Sequence, residues 1–309
     1  MKKLVFIVAG ILVLSVACVY IFIPRTITVE RVENLSCNAA PVFRFIRDEQ
    51  KWAGWWPDRG GARSGSYSYN GYQYRLTKLS YYNAEMRLTG PSAELTGRIS
   101  VIPVSKDSTV LQWVCSFPPA KNIFERLRFF WRAGSLGSDM GKILSRAGVF
   151  FGVQKNVYGV AFREGTTTDT YLAAMRSVFE NYPTTKDTYG MIRSIQAYMR
   201  ESGARQTNYP IMNIDHIDSG WRTTVSVPTD IPLKGKGPVY FMRLIPAKFL
   251  IADVQGGDST VEAAVKGMNN YILDYRRTVM AMPYRTLVTD RMAQPDTSKW
   301  MTTIYCPIF

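Results

Sequence analysis

A single histidine, His216, stands in the whole 309-residue chain, so a histidine-cluster metal site or a paired-histidine mechanism is excluded. The four cysteines, Cys18, Cys37, Cys115 and Cys306, are far apart and make no CxxC pair. One of them lies in an apolar run, which leaves an odd number elsewhere; a disulfide framework is not indicated, and the thiols read as small buried hydrophobes. Charged residues are only 20% of the chain against 46% apolar ones, and no dense basic run occurs, so neither disorder nor a nucleic-acid-binding arm is expected. There is no G-x-S-x-G nucleophile elbow. In Gly137 to Lys142 the glycines stand one residue too close for a phosphate loop, and Ile143 replaces its Ser or Thr. The pair Gly256-Gly257 reads as a turn. No cofactor or metal is expected.

What is present begins with Leu4 to Ile23, an uncharged run of 20 residues without amide or proline. As a helix it would rise about 30 Å, the thickness of a bilayer's hydrocarbon core. It is too long for the apolar part of a signal peptide and has no small-x-small cleavage site. Ala17-Cys18 resembles a lipidation signal, but Ser15 stands where a bulky aliphatic is needed and the apolar run continues past the cysteine. The expectation is an uncleaved transmembrane anchor over residues 1–25, in a single-pass protein of the inner (cytoplasmic) membrane. Lys2 and Lys3 place the N-terminus in the cytoplasm and the remainder in the periplasm, with Arg25 and Arg31 weighing against that orientation.

Residues 26–150 open on Thr26 to Leu35, where Ile27 and Val29 alternate with polar residues as in a strand. Asn38 can cap a helix with Pro41 in its first turn and Val42, Phe43, Phe45 and Ile46 on its apolar side. Tyr72, Tyr74 and Leu76, and later Leu111, Trp113, Cys115 and Phe117, alternate as strands. From Asn122 a helical pattern runs through Ile123, Leu127 and Phe130, breaks around Gly134 to Gly137, and resumes with Met140, Ile143 and Leu144. The opening Thr26 to Asp58, with Ala40-Pro41-Val42-Phe43 and Trp52, Trp55 and Trp56, resembles the START-like (SRPBCC) superfamily. The resemblance implies a helix-grip fold, a curved antiparallel sheet around a long C-terminal helix with an apolar cavity between them. Trp55, Trp113 and Phe130 are then candidate lining residues, against the alternative that they fill the core.

Residues 151–309 contain an internal duplication. Trp221 to Pro228 and Trp300 to Pro307 both read W-x-T-T-[VI]-x-x-P, and Tyr198 and Pro210 correspond to Tyr271 and Pro283. Each copy, about 157–232 and 239–309, is expected to hold two extended segments, a helix and two more strands. Those segments are Val157 to Phe162 and Tyr171 to Phe179, then Val239 to Ile245 and Phe249 to Gln255. The first helix starts near Thr184 or Thr185, buries Met191, Ile192, Ile195 and Met199, and stops before Gly203; the second starts near Asp258 or Ser259, buries Val261, Val265, Met268 and Ile272, and ends before Pro283. Two such units pack about a pseudo-twofold axis with a cleft where their sheets meet. The arrangement resembles the GyrI-like, or AraC-type effector-binding, domain, which implies binding of small, often cationic or amphipathic, molecules. Many members carry a glutamate just before the isoleucine of the final strand. Here Thr303 and Thr224 stand at that position in the two copies, which favours a neutral or apolar ligand.

Taken together, the fold class is α+β: a transmembrane helix, a helix-grip domain and a duplicated β-β-α-β-β domain. The expected function is binding or sensing of a small hydrophobic or amphipathic molecule, with Trp221, Trp300, Tyr305, Tyr271, Tyr189 and Thr303 as candidate ligand contacts in the duplicated region. The alternative is a hydrolase or cyclase using Glu164, Glu180 or Glu262, whose spacing identifies no catalytic pair. Asp290 and Arg291 read as a loop ion pair. No helix-turn-helix occurs, so direct nucleic-acid binding is not expected; a membrane protein partner fits the anchor. The net charge of +14 divides into excesses of +3, +7 and +4 over residues 1–25, 26–150 and 151–309, and the middle excess suggests attraction to an anionic membrane surface.

Overall fold

A computed structural model describes residues 2–57, 67–90, 93–167, 169–245 and 247–309, without the side chains of Lys2 and Val5. Asp58, the last residue of the START-like opening, lies outside the described residues. The chain divides into two units, Met1–Val157 and Tyr158–Phe309.

The N-terminal apolar run does form a helix, α1 (Lys2–Phe22). The expected transmembrane anchor is nevertheless corrected, because no helix among the described residues is long and apolar enough to cross a membrane. The single-pass placement in the inner membrane, with a periplasmic remainder, falls with it, and so does the membrane as partner. Within the first unit, Arg126 donates to the Tyr20 and Ile23 carbonyls near the end of α1 and lies 4.4 Å from the Tyr20 ring centroid.

The first unit is a six-stranded antiparallel sheet in the order β1 (Thr28–Leu35), β6 (Thr109–Ser116), β5 (Glu94–Pro103), β4 (Asn83–Thr89), β3 (Tyr72–Ser80), β2 (Tyr67–Tyr69). Between β1 and β2 lie α2 (Ala39–Ile46), capped by the Asn38 side chain on the Ala40 N–H, and a 3-10 turn, Glu49–Gly54. The Trp-rich corner follows from that turn: it brings Trp52, Trp55 and Trp56 into the core, with Trp52 stacked on Trp56 at 5.2 Å. A long helix, α3 (Ile123–Phe151), packs on β1. The expected break at its glycines is absent. Gly137 sits against Arg31 and Val29 of β1, where a Cβ would collide, and the Arg31 Nε donates to the Gly137 carbonyl at 3.0 Å, so close packing outweighs the weak helix propensity of glycine.

The second unit begins as α4 (Gln154–Tyr158) ends. The segment expected as a strand from Val157 to Phe162 instead turns at Gly159 (φ +80°) and packs Tyr158 and Phe162 on Tyr271; the strand, β7 (Arg163–Thr166), comes later. There follow β8 (Tyr171–Phe179), α5 (Thr185–Glu201), β9 (Ile211–Ile217), β10 (Gly220–Thr229), β11 (Val239–Arg243), β12 (Lys248–Gln255), α6 (Asp258–Asp274), β13 (Tyr284–Leu287) and β14 (Met301–Ile308). They form one eight-stranded antiparallel sheet, β11-β8-β10-β9-β13-β14-β12-β7. This order is symmetric about the β9–β13 junction, where Ile211 faces Thr286 and Met212 faces Arg285. Each copy also lends an edge strand to the other: β7 pairs with β12, and β11 with β8.

The α5 helix begins in a Thr184–Asp187 capping box and buries Met191, Ile192, Ile195 and Met199 against Val225, Val227, Met212 and Leu287. In α6, Val261, Met268 and Ile272 are buried as expected, whereas Val265 is half-buried and Ala264 lies inside. Strand alternation sends a second cluster, Leu172, Ile211, Phe249, Ile251 and Tyr284, to the opposite sheet face.

Candidate functional site

The β9–β13 junction is where the two copies meet at the centre of the sheet, and a narrow cleft opens there on the α5 side. Its floor is Met212, Ile214 and Leu287; its walls are Tyr182, Thr188 and Tyr189 from one copy and Asp258 and Arg291 from the other. The free space is about 10 Å³, room for roughly one water.

Local chemistry holds each wall in place. Tyr189 projects from the first turns of α5, donates its hydroxyl to the Thr289 carbonyl at 3.0 Å and accepts the Arg291 N–H at 2.8 Å. Burial pushes its phenol pKa up, opposed by that hydrogen bond. Arg291, whose side chain is 5% exposed, pairs with Asp258 at 2.8 Å, donates to Thr302 at 3.0 Å and covers the Trp300 ring at 4.5 Å. The indole of Trp300 donates to the Gln294 carbonyl. The expected Asp290–Arg291 loop pair is therefore corrected: the partner is Asp258, one strand and one helix away, while Asp290 accepts the Met292 N–H.

At the rim, Tyr182 packs edge-on against Trp221 at 5.1 Å, and His216, exposed on its strand, also packs edge-on against Trp221 at 4.9 Å. Burial raises the Tyr182 pKa, and the Arg285 guanidinium opposes the rise. Arg285 pairs with Glu262 at 2.5 Å, and its Nη1 is buried without a hydrogen bond among the described residues. Thus Tyr189 lines the cleft, while Trp300 and Trp221 stand behind its walls.

The other expected contacts lie elsewhere. Tyr305 stacks on Tyr284 at 5.0 Å on the opposite sheet face, beside Phe249. On that strand Thr303 is buried and donates to Asp253 Oδ1, its cross-strand neighbour, at 2.8 Å. Tyr271 stacks on Tyr275 and meets Tyr158 and Phe162. In the first unit, Trp55 and Trp113 pack within an aromatic cluster with Trp52, Trp56 and Tyr74, and their indole N–H groups, like the Tyr74 hydroxyl, have no hydrogen-bond partner among the described residues. Phe130 is 51% exposed, next to Trp131 on the outside of α3, and does not reach that cluster. Of the three glutamates, Glu164 is held by Arg277 and Lys248, Glu262 by Arg285, and Glu180 is exposed. Among the described residues no cluster of His, Cys, Asp and Glu could hold a metal ion.

Sequence reasoning missed Arg285 and Tyr182. Neither belongs to a repeated motif, and only the pairing of β13 with β9 brings them together.

No protein-family model and no curated protein matches the chain. Among solved structures it is similar to the C-terminal domain of EcmrR, at 13% identity over 48% of this chain and 98% of that one, with a TM-score of 0.43. It is also similar to SAV2435 bound to tetraphenylphosphonium, at 13% identity over 48% and 94%, TM-score 0.33. A START superfamily protein from Mycobacterium smegmatis is similar at 13% identity over 37% and 94%, TM-score 0.24. Likeness of this degree carries nothing about what this chain binds.

Proposed function

We propose that the chain binds a small hydrophobic or amphipathic molecule, and that the cleft at the β9–β13 junction of the second unit receives it. The observation that carries this reading is the make-up of the cleft: tyrosines from one copy face a buried cation–aromatic pair, Arg291 on Trp300, from the other, over an apolar floor. Flat rings with polar tips above aliphatic side chains suit an amphipathic ligand. With space for about one water, the cleft is closed as it stands, and Tyr182, on the exposed rim between β8 and α5, is the side chain that must swing aside to admit a ligand. The two arginines and two carboxylates of the rim balance, so the reading names no ligand charge.

A thermal-shift titration of the full chain with tetraphenylphosphonium and its isosteric anion tetraphenylborate tests this reading. Saturation to about a hundred times Kd stabilises the bound fold by about 2.7 kcal/mol, or about 5 to 10 °C for a unit of this size. A transition that neither ion moves would contradict the reading.

A further inference from the structure

Beside α3 the first unit holds an open depression of about 610 Å³, within the range of volumes that take small ligands. Arg132, Ser135, Asp139 and Lys142 line it at spacings of three, four and three residues, which places them on one stripe of the helix. Asp139 is the unusual member. It is only 6% exposed, yet among the described residues no cation pairs with it; its one hydrogen bond comes from the Asn70 amide at 2.7 Å. A buried carboxylate with no counter-charge among the described residues is expensive to keep, and a ligand cation that reached it would offset that cost. The Tyr74 hydroxyl, buried without a partner nearby in the same core, has its pKa pushed up by burial and by the Asp139 charge.

The two cations of the stripe decide what kind of ligand fits. Along the helix axis Lys142 lies about 4.5 Å and Arg132 about 10.5 Å from Asp139, one on each side. A simple cation drawn to Asp139 meets two positive charges at the rim. An anion meets the carboxylate. A molecule with an ammonium group at one end and an acid group at the other satisfies both.

We propose that this depression binds a small zwitterion, its ammonium on Asp139 and its acid group on Lys142 or Arg132. The site is independent of the cleft in the second unit, and either can fail without the other.

Isothermal titration of the full chain tests it, with glycine, 4-aminobutanoate and 6-aminohexanoate as probes and with butylamine and butanoate as the two halves of the middle one. The expected result is that at least one zwitterion binds tenfold or more tighter than either half, with affinity dependent on chain length. Asp139→Asn keeps the size and can keep the Asn70 contact; it is expected to reduce the zwitterion to the level of butanoate. Lys142→Ala with Arg132→Ala, both nearer solvent, is expected to reduce it to the level of butylamine. The proposal is overturned if no zwitterion binds, if the halves bind as tightly, or if Asp139→Asn leaves the affinity unchanged.

Discussion

The guanidinium of Arg291 lies 4.5 Å from the centre of the Trp300 ring while its Nη1 reaches Asp258 at 2.8 Å, so a buried cation joins the end of one strand to the start of α6. The exposure of the partners is unequal, 5% for the arginine side chain against 43% for the aspartate. Loss of the carboxylate strands a buried charge, whereas loss of the arginine leaves an aspartate that water can reach. Asp258→Ala is therefore expected to destabilise the second unit by about 2 to 3 kcal/mol, and Arg291→Met by only about 1 kcal/mol. Urea denaturation of the two variants reads the order; the reverse order would refute the argument.

Two glycines in the paired helices should respond oppositely to alanine. At Gly267 of α6 an added methyl overlaps the Tyr158 carbonyl oxygen, a backbone atom that cannot easily retreat, while at Gly190 of α5 it meets nothing within 4 Å. Gly267→Ala is expected to cost about 1 to 3 kcal/mol, and Gly190→Ala to gain about 0.5 to 1 kcal/mol. Melting curves of both variants decide it.

The capping box gives a pH signature. Hydrogen bonds from the Thr184 side chain and backbone hold the Asp187 carboxyl below its ordinary 3.8. A lowered folded pKa contributes stability that is fully present above the unfolded value and is lost as pH falls through the folded one. Stability of the native chain should thus drop more steeply than that of Asp187→Asn once the pH goes below about 4, with the two profiles parallel from pH 5 to 7. Parallel profiles down to pH 2 would remove the box as a source of acid sensitivity.

Thiol reactivity should separate the cysteines. Burial pushes Cys37 and Cys115 up to about 12 and Cys306 up to about 11, so at pH 8 they are protonated and out of reach. Only Cys18, half-buried in α1, is open to reagent. An aromatic disulfide reagent is expected to titrate one thiol quickly in the native chain and four after denaturation.

Much of this architecture could be read from the residues, because it rests on local rules. Asn38 and Thr184 cap helices as their side chains dictate, the period-two run of β6 faces the core, and the buried positions of α5 follow the helical period. The repeat W-x-T-T-[VI]-x-x-P located β10 and β14. What failed depended on contacts far along the chain. The glycines near 137 signalled a break until β1 was seen against them, and nothing in the strands shows that β7 and β11 exchange places. The length of the N-terminal apolar run suggested a bilayer span that the described helix does not provide. At the cleft, the partners of Arg291 and Arg285 come from α6, and only the fold brings them together.

The cleft itself is tested most directly by filling it. Thr185, half-buried where α5 begins, lines the cleft and has room on its solvent side for a larger side chain. Calorimetric titration of Thr185→Trp and of the native chain, with whichever of the two tetraphenyl ions binds, compares a blocked cleft with an open one. The account predicts at least a tenfold loss of affinity with the thermal transition of the unliganded chain retained; unchanged affinity in a folded Thr185→Trp chain would contradict it.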